Sequence, residues 1–248
     1  MYEKAYKLLA KQEKISNSKA KELIDRGLVR ASGKKVVIAR GEIKTDTKFV
    51  VKKLANIKVI FEDDDILAID KPAYMTTDEV SNKYQDYFLL NRLDKETSGV
   101  MLFAKTEEFQ TKAITEFKKN RVYKEYVAVV EGKVIEETTI DLPILTIKNR
   151  GVAKSKIDMT KGKPATTTIY PMLIEGNKSK IKVVIDTGRT HQIRVHLNHL
   201  GFPIIGDSVY GKTNPNVNRV LLHSKVTRIF DYEFESQEPR EFKVFDFN

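Results

Sequence analysis

Apolar positions change their spacing along this chain, and the changes mark out its elements. Between residues 4 and 14, Ala5, Leu8 and Leu9 recur at helical spacing while Lys4, Lys7, Lys11 and Lys14 gather on the opposite face, which predicts an amphipathic helix. A second helix follows, capped by Ser16 or Ser18, buried along Ala20, Leu23 and Ile24, and stopped by Gly27. Short apolar runs predict strands at 36–38 and 49–51, with a Gly33-Lys34 turn before the first. Residues 52–58 read as a connector.

Beyond it the pattern becomes mostly β-like. Runs at 59–61 and 66–69, separated by Glu62, Asp63, Asp64 and Asp65, predict a hairpin with an acidic turn. The fully apolar run 100–104 predicts a buried central strand. Thr106 opens a helix with Glu107 and Glu108 in its first turn, where the helix dipole favours acids, and with Phe109, Ala113, Ile114 and Phe117 on its inner face. Strands are predicted at 122–130 and near 166–170 and 181–186. A last helix fits 190–200, stopped by Gly201, with Ile193, His196, Leu197 and Leu200 inside and His191, Arg194 and Asn198 on another face. Strands with a few interspersed helices predict an α+β domain with a mixed, mostly antiparallel sheet. No run approaches the roughly 18 apolar residues of a membrane span, and no apolar leader follows Met1. The expectation is a cytoplasmic protein without a membrane partner.

Charge divides the chain in the same place. Of 44 basic and 34 acidic residues, positions 1–57 hold 15 and 6, leaving 29 and 28 for the rest. Nearly all of the net charge of +10 therefore sits in the first quarter, the electrostatic footprint of a polyanion binder. The absence of cysteine excludes disulfides, thiolate catalysis and cysteine metal sites.

The candidate chemistry is sparse. Asp94 lies between Arg92 and Lys95 in a loop ended by Gly99 at the entrance to the apolar strand, and neighbouring cations favour the ionised carboxylate that a nucleophile or base requires. His191, His196 and His199 are separated by 5 and 3 positions, without the His-Glu-x-x-His spacing of a helical zinc pair, so packed histidines are the better reading. Asp63, Asp64 and Asp65 read as a solvated turn rather than a metal site. Ser98-Gly99 lacks the Gly-x-Ser-x-Gly of a nucleophile elbow. No metal and no cofactor are expected.

Several segments together carry a resemblance. Arg92-Leu93-Asp94 with Thr97-Ser98-Gly99, Asp70-Lys71-Pro72, Lys124-Glu125-Tyr126-Val127-Ala128, Gly188-Arg189-Thr190-His191-Gln192-Ile193-Arg194, Gly206-Asp207 with Tyr210-Gly211, and Leu222-His223 occur in that order. Together they resemble the RluA-type pseudouridine synthases over about residues 58–245. Asn91 stands where that family has His, and Tyr74 where a Gly is usual. In front, residues 16–29 with the Gly33-Lys34-Lys35 turn resemble the S4 RNA-binding module over roughly 2–52.

The resemblance implies an S4-like RNA-binding domain at 1–52 and a catalytic domain of the pseudouridine synthase type at 58–248. It implies that Asp94 is the catalytic aspartate, that Tyr126 stacks on the flipped base and assists proton transfer at its C5, and that Arg194 pairs with Asp94. Arg92 would lie near the space the target uridine vacates, Ile193 would line the uracil pocket, and Arg189, His191 and Gln192 would shape the adjoining loop or touch the RNA backbone. In the S4-like part, Lys19, Lys21, Arg26, Arg30, Lys34 and Lys35 would contact phosphates, giving affinity rather than sequence readout. The implied partner is ribosomal RNA of the large subunit, with transfer RNA as the other candidate, and the implied enzyme is a monomer. The contrasting class is an idle RNA-binding protein on the same fold, which would not need Asp94, Tyr126 and Arg194 together.

Overall fold

A computed structural model describes residues 1–149, 152–212, 217 and 219–243. The chain divides into two compact units, one made by Met1–Ala55 and the other beginning at Asn56. Positions 244–248, the end of the expected second domain, lie outside the described residues.

The first unit runs β1 (Tyr2–Lys4), α1 (Ala5–Glu13), α2 (Asn17–Asp25), β2 (Val29–Ala31), β3 (Lys34–Lys35), β4 (Glu42–Lys44) and β5 (Phe49–Val51). Ser16 is the cap of α2, its Oγ accepting from the Lys19 amide at 3.1 Å. The two helices bury Ala5, Leu9, Ala10, Ala20 and Ile24 against Val29, Ala39 and Phe49, and Lys4, Lys7, Lys11 and Lys14 are exposed as their spacing predicts. The strand expected at 36–38 does not form. Pairing of β3 with β2 ends at Lys35, the Val36 amide still donates to Val29 at 2.9 Å, and Val37 and Ile38 then turn outward. Three β-branched residues make a strand only where a neighbour offers a ladder.

The second unit contains β6 (Lys58–Glu62), β7 (Ile66–Lys71), α3 (Thr77–Ser81), β8 (Phe88–Leu89), β9 (Ser98–Ala104), α4 (Glu107–Lys118) and β10 (Tyr123–Glu131). It continues through β11 (Thr138–Asp141), β12 (Ile144–Asn149), β13 (Val152–Ile157), β14 (Thr166–Glu175), β15 (Lys178–Ile185), α5 (Gln192–His199), β16 (Leu222–Ile229), β17 (Tyr232–Glu235) and α6 (Arg240–Lys243). Among the described residues the central sheet has the order β11-β14-β15-β10-β16-β9-β7-β6, with β17 beside β16 and β8 beside β9. Only β16 and β9 pair in parallel; the other pairs are antiparallel, so the fold is α+β with a mixed, mostly antiparallel sheet. β12 and β13 form a separate hairpin.

Every residue of β9 is buried, as its unbroken apolar run predicts. Val100, Leu102 and Ala104 meet Phe109 and Ala113 of α4 in one core cluster. Thr106 caps α4, accepting from the Phe109 amide at 3.2 Å. Ile114, expected on that inner face, is 37% exposed, because the helix buries the narrower stripe of Phe109 and Ala113 with Phe117 at its edge. The acidic turn is organised by its first aspartate: Asp63 accepts the amides of Asp65 and Ile66 at 2.9 and 2.8 Å and the Tyr232 hydroxyl at 2.7 Å. In α5, all six residues from Gln192 to Leu197 are buried. The two-faced helix expected there is an inserted one, with Arg194 inside rather than on an open face.

The parallel junction of β9 and β16 requires Gly99. Its φ is +115°, and a Cβ there would lie 2.0 Å from the Ser224 carbonyl oxygen. Gly99→Ala is expected to lower stability by about 3 kcal/mol or more, read as a reduced denaturation midpoint or as loss of soluble protein.

Candidate active site

The loop that carries Asp94 is fixed from its back by buried groups. Lys71, at the end of β7, is fully buried and its Nζ donates to the carbonyls of Met75, Pro72 and Lys95 at 2.8, 3.1 and 3.4 Å. Arg219 is buried too, donating to the Glu96 carbonyl at 3.0 Å and to Ser98 Oγ at 3.1 Å. Ser98 also bonds His223 Nδ1 at 2.9 Å, while His223 Nε2 donates to the Ser236 carbonyl at 3.2 Å. Thr77 Oγ1 donates to the Leu93 carbonyl at 2.9 Å, and the Tyr74 amide donates to Lys95 at 2.7 Å. Tyr74 keeps the backbone shape that a Gly allows there, with a φ of 70° and its side chain buried. Asn91 acts as a strand partner: its Oδ1 accepts the Leu102 amide at 2.7 Å and its Nδ2 donates to Val100 at 3.4 Å. Asn91 is thus accommodated by local hydrogen bonding, whereas Tyr74 holds a left-handed backbone that costs a non-glycine residue about 1–3 kcal/mol.

At the front, Arg194 of α5 joins two acids. Its Nη1 donates to Asp94 Oδ2 at 3.0 Å, while Nε and Nη2 hold Asp207 at 2.7 and 2.9 Å in a two-pronged pair. Asp207 Oδ1 also accepts the amides of Val209 and Tyr210 at 3.0 and 3.2 Å. Burial works against the charge of Arg194, but the hydrogen bonds and charge of Asp207, then those of Asp94, push its pKa above the ordinary range. For Asp207 burial acts upward, and the Arg194 contacts outweigh it, holding the carboxyl below the usual carboxylate range.

Tyr126 reaches the same space from β10. The β10–β16 ladder shifts register opposite Glu125 and Tyr126, an irregularity of the kind that re-aims side chains beside active sites. Burial pushes the Tyr126 phenol up to about 12, against a hydrogen bond with Ser224 and with the help of the Asp94 charge, so it works as a neutral hydroxyl. His191 begins α5 in the left-handed region, φ 56°, shares a 2.8 Å hydrogen bond with Tyr210 through Nδ1, and brings Nε2 to 3.8 Å from Asp94. Its pKa is lowered by burial against the pull of Asp94.

One pocket of about 80 Å³ is lined by Asp94, Tyr126, Arg194, Arg92, Ile193, Arg189, His191 and Gln192, together with Leu93, Thr97, Ile185, Gly188 and Leu222. All eight catalytic and substrate-binding candidates from the sequence therefore meet in one place. Their environments differ. Arg92 is exposed at the rim. Gln192 is consumed internally, accepting from Thr187 Oγ1 and the Arg189 amide at 2.8 and 2.9 Å and donating to Thr166 O and Thr167 Oγ1 at 2.9 and 3.0 Å. It shapes the 187–189 loop. Arg189 is tied to the Pro164 carbonyl at 2.9 Å through Nε. His196 lies away from this pocket, bonded to Thr167 Oγ1 and Leu142 O at 2.9 Å each, a packed histidine as its apolar face predicts. Among the described residues no cluster of three or more His, Asp or Glu is arranged to hold a metal, and no helix is long and apolar enough to cross a membrane.

The S4-like candidates lie on the first unit. Lys19 and Arg26 both pair with Glu22 at 3.0 Å. Lys21 sits over the Tyr6 ring at 4.4 Å, Arg30 donates to Gly33 O at 2.7 Å, Lys35 covers Gly27, and Lys34 is exposed.

Residues 46–199 match the profile of the RNA pseudouridylate synthase family. The chain belongs to that family. A Helicobacter pylori (strain J99) protein described as an uncharacterized RNA pseudouridine synthase is 48% identical over 243 residues, covering 98% of this chain and 100% of its own. Ribosomal large subunit pseudouridine synthase D of Pasteurella multocida is 31% identical over 226 residues, covering 79% of this chain and 69% of its own. The solved structure of human RNA pseudouridylate synthase domain containing 1 is similar with a TM-score of 0.64 at 28% identity, covering 74% of this chain and 84% of that one. The enzyme is an RluA-like RNA pseudouridine synthase, an isomerase whose partner is RNA.

The sequence pointed to Asp94, Tyr126 and Arg194 but gave no role to Lys71, Asp207, Tyr210 or Arg219. The first three stand in the motifs that carry the resemblance; Arg219 has no local signal, being a basic residue in a polar stretch that only the fold buries. Two outcomes follow from this geometry. Asp207→Ala leaves the buried Arg194 without its two-pronged partner and is expected to cost about 3–5 kcal/mol in denaturant unfolding. Burial, then Arg219, lowers the Lys71 pKa to about 7, while the unfolded chain holds that proton to about 10.4. Between those values the unfolded state binds more protons, so this residue makes stability rise with pH. Unfolding measured near pH 6.5 and 9 is expected to show a larger gain with pH in the wild type than in Lys71→Met.

Proposed function

We propose that the enzyme converts uridine to pseudouridine in large-subunit ribosomal RNA, with Asp94 as its catalytic residue. The observation that carries this reading is the meeting of Asp94, Arg194 and Tyr126 in one pocket. The relatives described as ribosomal large subunit pseudouridine synthase D support the choice of RNA.

The reaction breaks the C1′–N1 bond, joins C1′ to C5, and moves the C5 proton so that N1 ends protonated. No electrons are gained or lost and no group is imported. The target base must leave its stack, which costs a few kcal/mol. In this reading Arg92 at the rim holds the gap, the Tyr126 ring supports the extruded base, and Ile193 closes the apolar side. Asp94 supplies the carboxylate that adds to the uracil, attacks the sugar or takes the sugar's C2′ proton, held in orientation by Arg194, itself fixed by Asp207. The neutral Tyr126 hydroxyl assists the C5 proton transfer. Arg189 and His191 border the site, and Gln192 braces the loop between them.

The first unit, about residues 1–52, is assigned to S4-like RNA binding and residues 58–248 to catalysis. Its basic excess supports this, and Lys34, Lys19 and Lys21 with Arg26, Arg30 and Lys35 form the phosphate-contacting set. Such contacts position an RNA without reading sequence. The enzyme acts as a cytoplasmic monomer, where ribosomal RNA is made and folded.

The test is a pseudouridine map of ribosomal and transfer RNA in the wild type, a deletion strain, and the deletion carrying Asp94→Asn. Loss of one or a few large-subunit sites, not restored by the variant, is the expected outcome. Purified Asp94→Asn is expected to keep its fold and lose at least about 10³-fold in turnover. A map with missing sites only in transfer RNA would replace the substrate, and full restoration by Asp94→Asn would remove Asp94 from the chemistry.

A further inference from the structure

A second and larger cleft, of about 600 Å³, adjoins the pocket that holds Asp94. The two share Arg92, Tyr126, Ile185, Gly188 and Arg189 as a common wall. The far wall is the last turns of α4, where Ile114 and Phe117 stand beside Lys118. The volume lies in the range that encloses a small-molecule-sized ligand. An RNA strand whose uridine enters the Asp94 pocket can run on past this common wall.

Three features of the cleft fit a nucleotide. Its apolar surface is unusual, since Ile114 leaves the helix's core stripe and is 37% exposed into the cleft. With the half-buried Phe117 it offers a flat apolar wall on which a base can stack, an interaction tolerant of base identity. Its charge is one-sided: Arg92, Lys118, Lys124 and Arg189 line it against Asp186. Its cation is built in, because Lys124 is only 7% exposed. The Lys124 ammonium donates to the Asp186 carbonyl at 2.8 Å and lies 5.9 Å from the centre of the Phe117 ring. Burial lowers its pKa to about 8, with the Asp186 charge acting upward and Arg189 downward. A buried cation is costly unless anions accompany it; Asp186 offsets part of that cost, and a phosphate in the cleft would add a second anion beside Lys124.

We propose that this cleft is the subsite for the nucleotide directly next to the target uridine, its base laid against Phe117 and Ile114 and its phosphate drawn to Lys124 and Arg189. The inference rests on the Asp94 pocket receiving the target uridine. It makes the enzyme a binder of two adjacent extruded nucleotides.

The experiment uses the full chain and a fluorescein-labelled RNA fragment bearing the mapped uridine, with copies in which the preceding or the following nucleotide is abasic. Binding is read by anisotropy on the Asp94→Asn protein, and turnover separately on the wild type. One of the two abasic copies is expected to bind about 10-fold more weakly. Ile114→Ala with Phe117→Ala is expected to weaken the intact RNA by a similar factor and to make the abasic change nearly silent. Lys124→Met is expected to weaken both RNAs and to reduce the salt slope by about one. Ile114→Ala alone, at an exposed position, keeps the test available should Lys124→Met fail to fold. Independent, multiplying effects of the abasic residue and the helix substitutions would overturn the subsite, as would wild-type binding by the helix variants. Turnover by Asp94→Asn would instead overturn the catalytic assignment, leaving the binding cycle to judge the cleft.

Discussion

The site depends on one buried guanidinium. Arg194 reaches Asp94 with one nitrogen and Asp207 with two others, so a single planar group ties the Asp94 loop, helix α5 and the 207–210 turn together. A guanidinium suits this because its donors are arranged as a fork that can hold two carboxylates at once. A lysine would carry the charge without the geometry. The tight pair with Asp207 lets Arg194 stay charged while buried, and that charge then meets the more accessible Asp94. The two acids differ in setting: Asp207 is fully enclosed by its bonds, and Asp94 is left facing the pocket.

The reverse side of the loop is held by a different device. Lys71 and Arg219 turn their donors toward main-chain carbonyls of residues 72–75 and 95–96. Carbonyls in a tight loop cannot all pair with one another, and two buried basic side chains satisfy several of them without a further strand. Gly99 then lets β9 and β16 approach closely, bringing Ser224 beside Tyr126. The result is a short rigid path from the sheet's parallel junction to the pocket. Such rigidity suits a reaction in which a detached base must be kept in place while it rotates, because catalysis by positioning is lost when supporting groups are loose.

The wide cleft beside the pocket contrasts in size with the small pocket that holds Asp94. Buried hydrogen bonds hold Asp94 and Arg194 at the small pocket, while the wider cleft is basic and partly apolar. That difference in size suits the proposed substrate, of which one base enters a pocket and the rest of a long polyanion is met along a groove.

The sequence by itself determined most of the local elements and brought forward the candidate reacting groups. Periodicity located α1, α2, α4 and the strand β9, because burial on one helical face or both sheet faces leaves a pattern that any reader can count. The motif residues were equally visible, since Asp94, Tyr126 and Arg194 stand at recognisable spacings. Tertiary structure alone decided which of them meet. Asp94 and Arg194 are 100 positions apart, and nothing local in either segment encodes the sheet order that joins them. The same holds for Ile114, whose spacing suits a core position but whose neighbours leave a cleft, and for 36–38, whose β-branched residues find no ladder. Spacing reports how a segment would bury itself, whereas the surface it is offered depends on distant registers and crossings.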